Sequence, residues 1–245
     1  MKKKNLLVLG GKSDIGIETA KIFANADFNI QVAGRNMDQS KDEIIQKVNN
    51  PNVDYAFYEL DILNQDSFPN FIKSLKKFPD VLLCSIGKLG DQKIDQRNPS
   101  SLSIILRTNF LGPSILLGLF ANEFEKRKSG TIIGISSVAG ERGRASNYIY
   151  GSAKAGFSSY LSGLRSRLSK YSVNVITIIP GFVNTKMTTN VPAPKFISLS
   201  PQKVAKKIFK AYKLKLSYSY VSIFWGLISK VLKMMPEFMF KKIKF

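Results

Sequence analysis

Tyr150 stands four residues before Lys154, in Tyr150-Gly151-Ser152-Ala153-Lys154, and thirteen after Ser137, in Ile135-Ser136-Ser137-Val138-Ala139-Gly140. Four residues along a helix return a side chain to the same face, one turn on. A lysine ammonium held there favours phenolate over phenol. Such a neighbour would bring the tyrosine down from its reference pKa of about 10, each unit corresponding to about 1.4 kcal/mol. The spacing alone is weak, because a lysine-rich chain supplies roughly one Tyr-x-x-x-Lys by accident. The chain has no histidine. Serine-histidine triads, HExxH zinc sites and imidazole acid–base chemistry are therefore excluded, and no metal site is expected. Proton transfer falls to Tyr, Lys, Asp, Glu or Cys.

The elements that must position this pair alternate along the chain. Short β-rich runs fall at 5–9, 28–33, 53–58, 81–86, 131–136, 173–179 and 218–223. Amphipathic segments lie between them at about 15–26, 38–49, 65–77, 100–127, 148–170 and 201–213. Strands separated by helices predict an α/β fold, a doubly wound parallel sheet of about seven strands covered on both faces. The loop around Pro192-Ala193-Pro194, about 185–200, is longer than usual and is a candidate lid.

Further candidate positions sit where strands end. The first strand runs into Gly10-Gly11-Lys12-Ser13-Asp14-Ile15-Gly16, which opens a helix. Glycines let a backbone approach a pyrophosphate, and a helix amino-terminus favours its charge; a plain glycine turn would look the same. Asp14 is expected to cap that helix. The second strand ends at Gly34-Arg35-Asn36, where NAD-preferring dinucleotide folds usually carry an acid. Arg35, with Lys12, suits a 2′-phosphate and favours NADP(H), with NAD(H) the second choice; the alternative is a solvated loop cation. Asp61, in Leu60-Asp61-Ile62, is an adenine acceptor or a solvated carboxylate. Ser85-Ile86-Gly87 follows the fourth strand, and the missing side chain of Gly87 would let a ribose lie close. Asn109 falls inside a helical pattern, as a functional amide or for a local backbone bond.

At 245 residues the chain suits one α/β domain, and its single cysteine, Cys84, permits no internal disulfide. The apolar run after Met1-Lys2-Lys3-Lys4-Asn5 is too short for a signal core, and no uninterrupted apolar segment of spanning length is found. A cytoplasmic location is expected. The formal net charge is +20, and residues 201–245 hold eleven lysines against one acid, Glu237. Nucleic acid and an anionic membrane surface both suit such a charge; its concentration in an apolar tail favours the membrane, so no nucleic-acid partner is expected. In residues 224–245, Phe224, Trp225, Leu227, Ile228, Val231 and Leu232 mix with lysines 230, 233, 241, 242 and 244. This pattern fits an interfacial helix, a core-packing terminal helix or a dimer contact.

Gly10 to Gly16, Asp61, Asn109, Ser137, Tyr150, Lys154 and Pro180-Gly181 occur in the order and spacing of the short-chain dehydrogenase/reductases, which residues 5–213 resemble. The resemblance implies that Tyr150 protonates a carbonyl oxygen as hydride arrives and that Ser137 bonds the same oxygen. It implies that Lys154 lowers the Tyr150 pKa and binds the nicotinamide ribose, with Asn109 holding a water between Lys154 and solvent. Ser13, Ile15, Ile62 and Pro180 would join the cofactor contacts, and Val183 and Thr185 would hold the carboxamide. Leu9 replaces the family's Thr, Asp14 its second glycine, and Cys84-Ser85-Ile86-Gly87 its Asn-Asn-Ala-Gly. Those departures, with Ser146 to Gly156 and Pro180 to Pro194, are similar to the branch that includes the reductase component of decaprenylphosphoryl-ribose 2-epimerase. That likeness implies a keto-sugar on a polyprenyl phosphate as substrate and an FAD-dependent oxidase as partner, at the inner face of a membrane. The branch member is described with NADH, whereas Arg35 and Lys12 point to NADPH. A reductase of another bulky carbonyl, such as a 3-oxoacyl group on an acidic carrier protein, is the alternative; a dinucleotide-sensing or nucleic-acid-binding protein is the non-enzyme one. A homo-oligomer is expected. Residues 1–213 are read as the dinucleotide-binding part, and 214–245 as a last strand and basic apolar C-terminal helix of the same domain.

Overall fold

A computed structural model describes residues 3–189 and 198–242 of the chain. Among these, seven strands form one sheet in which every neighbouring pair is parallel: β1 (Asn5–Leu9), β2 (Asn29–Gly34), β3 (Tyr55–Glu59), β4 (Val81–Cys84), β5 (Gly130–Ile135), β6 (Val173–Ile179) and β7 (Tyr218–Tyr220). Their order is β3-β2-β1-β4-β5-β6-β7. The helices are α1 (Asp14–Ala24), α2 (Met37–Val48), α3 (Phe68–Ser74), α4 (Gln92–Asp95), α5 (Pro99–Leu106), α6 (Gly112–Arg127), α7 (Tyr148–Leu168), α8 (Pro201–Lys213), α9 (Ile223–Met234) and α10 (Glu237–Phe240).

Strands buried on both faces must be apolar at consecutive positions, and β1 is buried throughout. The period of two then divides it between two cores. Leu6 and Val8 join Ile30, Val32, Leu83 and Ile133 in one core, with Ala20 and Phe23 of α1 and Ile208 of α8. Leu7 and Leu9 face the other, with Leu82, Ile132 and Val175, under Phe120 and Phe124 of α6 and Phe157 of α7. The strand order reverses between β1 and β4, so the connections after these two strands diverge and leave a crevice at their carboxyl ends.

The α/β expectation holds, and several boundaries move. The fourth strand stops at Cys84 rather than residue 86, and the segment at 65–77 is a 3-10 turn followed by α3. The helix expected over 100–127 contains a π turn at Arg107–Leu111, just before Pro113, whose missing N–H cannot continue the regular ladder. The last strand ends at Tyr220, and Ile223, read as its end, opens α9 instead. The candidate lid falls largely on residues 190–197, outside the described residues. Against the expectation of no membrane-length segment, Pro99–Arg127 is long and apolar enough to cross a bilayer; more than half of its most apolar stretch is buried inside the protein. Leu116, Leu117, Phe120 and Phe124 face the second core, so packing against the sheet accounts for that apolarity.

Phe120 is fully buried, and its ring meets Phe71 at 6.3 Å and Phe78 at 5.6 Å between centroids. Phe120→Ala should cost about 3–5 kcal/mol, read as a lower urea midpoint at unchanged slope.

Candidate active site

The crevice begins where β1 ends. Gly10 adopts φ +89°, and the Gly10 and Gly11 N–H groups both donate to the Ala33 carbonyl at the end of β2, at 2.9 and 3.0 Å. This tight turn aims the amino end of α1 into the cleft. Ser13, rather than Asp14, is the cap: its hydroxyl accepts from Gly16 N–H at 3.3 Å. The Asp14 carboxylate instead accepts from Lys186 N–H at 2.8 Å, tying the glycine turn to the segment after β6. On the far side, the Ser85 hydroxyl donates to the Leu9 carbonyl at 2.9 Å and pins the β4 connection beside β1.

Tyr150 and Lys154 ride on α7. The Ser136 hydroxyl donates to the Lys154 carbonyl at 3.0 Å and shares a hydrogen with Ser158 Oγ at 2.6 Å, which fastens α7 to the end of β5. Gln92 of α4 caps the amino end of α7, its side-chain oxygen accepting from Ile149 N–H at 3.1 Å. Ser137 follows β5 directly, and its hydroxyl accepts from Ala139 N–H at 3.1 Å.

One cleft of about 940 Å³ gathers these residues, at the upper end of the size of ligand pockets. Of the positions singled out from the sequence, Gly10, Lys12, Ser13, Ile15, Arg35, Asp61, Ile62, Ser85, Gly87, Ser137, Tyr150, Lys154, Pro180, Val183 and Thr185 all line it. Gly16 and Asn109 do not. A Cβ on Gly16 would lie 2.8 Å from Ser85 Oγ, so this glycine serves the close packing of α1 against the strand ends. Asn109 is fully buried in the π turn, where its amide nitrogen donates to the Lys88 and Ile105 carbonyls at 2.7 and 2.9 Å. Its oxygen accepts from Lys88 N–H at 3.1 Å. Asn109 thus makes one local backbone bond, to Ile105, and through Lys88 holds the connection that carries Gly87. A Cβ on Gly87 would sit 3.2 Å from Asn109 Oδ1 and 3.7 Å from Lys154 Nζ, so its absence leaves room at the cleft wall.

The electrostatics differ from the expectation. Burial pushes the Tyr150 phenol up to about 12, and the hydrogen bond with Ser137 draws it back only in part. Lys154 makes no hydrogen bond to the phenol. Lys154 Nζ donates to the Ile135 carbonyl at 3.0 Å and the Ile86 carbonyl at 3.5 Å, and lies 5.8 Å from the Tyr150 ring centroid. Burial brings the Lys154 ammonium itself down to about 8. Each group is governed by desolvation of its own charged form.

Asp61 accepts from Leu63 N–H at 2.9 Å through one oxygen, so its carboxylate also shapes its own turn. Glu59, Lys88, Thr108, Lys186 and Met187 line the cleft without having been expected. Glu59 pairs with Gly34 across β2 and β3, and its two carboxylate oxygens accept from Asn36 and Met37 N–H at 2.9 and 3.1 Å. Only strand register brings it beside Arg35, and no local pattern announces it. The residues present fit a nicotinamide dinucleotide. The α1 amino end and the Gly10-Gly11 turn can receive a pyrophosphate, and exposed Arg35 and Lys12 line the same cleft.

Lys154 in the folded chain gives up its proton near pH 8, whereas an unfolded lysine keeps it to about 10.4. Between those values the unfolded chain binds more protons, so stability rises with pH. Above about pH 10 Tyr150 acts in the opposite sense, because its phenol stays protonated in the fold after the unfolded one ionises. Urea unfolding of the free protein should show a gain of about 2 kcal/mol between pH 8 and 10. Lys154→Met should flatten that rise.

A family model described as short chain dehydrogenase matches residues 4–195. An uncharacterized oxidoreductase of Mycobacterium tuberculosis is 30% identical over 244 residues, covering 97% of this chain and 96% of its own. A 3-oxoacyl-[acyl-carrier-protein] reductase of Chlamydia trachomatis is 27% identical over 194 residues, 77% of each chain. A short chain dehydrogenase from Burkholderia cenocepacia, solved in complex with NADP, superposes with a TM-score of 0.81 at 18% identity, over 96% of this chain and 99% of its own. A crevice at the carboxyl ends of parallel strands, a tyrosine and lysine one helical turn apart on its wall, and these likenesses lead to one conclusion. The chain belongs to the short chain dehydrogenase family and is an NAD(P)-dependent oxidoreductase.

Proposed function

We propose that the chain reduces a bulky ketone to a secondary alcohol with NADPH, and that the ketone is a keto-sugar carried on a polyprenyl phosphate. The observation that carries the reductase chemistry is the gathering of Ser137, Tyr150 and Lys154 on the wall of the cleft that also receives the α1 amino end. When bound, the dinucleotide supplies the hydride that adds to the carbonyl carbon. Tyr150, fully protonated at neutral pH, donates its proton to the carbonyl oxygen. An alkoxide is a far stronger base than a phenolate, so the transfer runs downhill even from a phenol near 12. Ser137 holds the same oxygen in reach. Lys154, half charged near pH 8, restores the proton to Tyr150 and offers its ammonium to the nicotinamide ribose.

The preference for NADPH rests on Arg35 and Lys12. Glu59 lines the same cleft with both carboxylate oxygens on the N–H groups at the start of α2, and among the described residues it forms no ion pair with Arg35 or Lys12. A charge-assisted bond of this kind is worth about 1.5–3 kcal/mol. Arg35→Asp should therefore shift the NADPH-to-NADH ratio of kcat/KM by roughly 10- to 100-fold toward NADH. An unchanged ratio would remove Arg35 from the 2′-phosphate site.

Support for the lipid-linked sugar comes from the motif likeness and from the exposed apolar side chains of α9, whose inner face packs behind the cleft. An FAD-dependent oxidase would supply the ketone by oxidising the sugar 2-hydroxyl, and reduction from the opposite face would return the inverted alcohol. The match to a 3-oxoacyl-[acyl-carrier-protein] reductase favours a second reading, a bulky acyl ketone on an acidic carrier. The purified protein with NADPH should turn over a polyprenyl-phosphoryl 2-keto-pentose at least tenfold better, in kcat/KM, than a 3-oxoacyl carrier protein. Tyr150→Phe should lower turnover by about 10²–10⁴ while NADPH still binds. Faster reduction of the acyl carrier would sink the sugar reading, and preserved turnover in the Phe variant would remove Tyr150 from the chemistry.

A further inference from the structure

A surface helix normally turns an apolar stripe to the core and a polar face to water. Helix α9 does the first and not the second. Its inner face carries Trp225, Gly226, Ser229 and Leu232, all buried. Its outer face carries Ile223, Leu227, Val231 and Met234, which are 81%, 59%, 60% and 84% exposed, with Phe224 beside them. At 3.6 residues per turn these five span roughly 100° of arc, one unbroken stripe. Phe238 and Met239 of α10 are exposed next in the chain. Seven large apolar side chains in water on one short segment call for a partner.

The charge around the stripe says which partner. Lys230, Lys241 and Lys242 are exposed, and among the described residues no acid pairs with them. Glu237, the one acid in residues 201–245, is already bridged to Arg142 at 2.7 Å. A second copy laid on this face by a two-fold axis would set like charges against each other. Apolar bulk rimmed by unpaired lysines instead matches a layer whose interior is hydrocarbon and whose surface is anionic.

The segment is also held firmly to the site. Arg142 donates to the Leu232 and Met235 carbonyls at the end of α9, and lies 4.0 Å from the Phe240 ring centroid. Glu141 accepts from the Tyr218 and Tyr220 hydroxyls, each at 2.7 Å, and pairs with Lys233. Both anchors leave the turn Val138–Gly140 that directly follows Ser137. Trp225 packs with Val138, Ile179 and Phe182, and a Cβ on Gly181 would lie 2.1 Å from its Nε1. Pro180, Gly181 and Ser137 line the cleft. One helix thickness, about 10 Å, therefore separates the exposed stripe from the cleft wall.

We propose that the outer face of α9 and α10 docks on an anionic lipid bilayer and sets the catalytic cleft against the membrane surface. This does not require the ketone itself to be lipid-linked. The test is co-sedimentation of the full chain with vesicles of phosphatidylcholine alone or with about a third phosphatidylglycerol, whose anionic surface attracts basic residues. The expected result is binding to the anionic vesicles at least tenfold stronger than to the neutral ones. Leu227→Glu with Val231→Glu should lower it at least tenfold, and so should Lys230→Glu with Lys241→Glu and Lys242→Glu. Both variants should keep NADPH binding and the reduction of a water-soluble ketone, which separates a failure of docking from a failure of the reductase reading. Equal vesicle binding by both variants, or no binding by the unaltered protein, overturns the proposal. A fall in solution mass of the Leu227/Val231 variant with vesicle binding unchanged also overturns it and assigns the face to a second copy.

Discussion

A parallel sheet has its strands entering from one end and leaving from the other, and each connection must cross back over a face. Burial on both faces follows, because the crossovers cover them. From this constraint come the two cores on either side of β1 and the helices that close them. All strand carboxyl ends open along one edge, so the turns after β1, β2, β4, β5 and β6 converge there whatever their distance in sequence. The reversal of strand order between β1 and β4 splits that edge and makes the cleft.

Within the cleft, desolvation outweighs the attraction between neighbouring groups. Tyr150 and Lys154 lie one turn apart as helix geometry requires, yet the hydrogen bonds of the lysine ammonium go to the Ile135 and Ile86 carbonyls and not to the phenol hydroxyl. Burial raises one group and lowers the other, which keeps both nearer their neutral forms. A protonated tyrosine is the state in which an acid can act on a ketone. The arrangement suits proton donation better than it suits a standing phenolate.

The carboxyl-terminal segment shows how one short turn can serve two surfaces. Glu141 and Arg142 leave the Ser137 turn in the direction of β7 and α9, and their charges are spent on tyrosine hydroxyls, helix carbonyls and one ion pair each. The side chains that hold α9 therefore share a backbone turn with Ser137 on the cleft wall. Trp225 completes the link from the other side, through Ile179 and Phe182 at the end of β6.

Much of this was legible in the residues themselves. Alternation of apolar strands with amphipathic helices implies the parallel sheet, because backbone periodicity is a local property. The glycine turn at 10–16 and the four-residue spacing of Tyr150 and Lys154 are likewise local, and nearly all the residues chosen on those grounds line the cleft. What local pattern could not supply is everything decided between distant segments. Glu59 reaches the start of α2 only through the register of β3 on β2, Asp14 finds Lys186 across the cleft, and Asn109 turns inward to Lys88. The ionisation of Tyr150 belongs to the same class, since desolvation depends on what the whole chain packs around a group. So does the fate of the apolar tail: composition shows that it must be covered, and only packing separates the face that Trp225 buries from the face that Ile223 and Met234 leave in water.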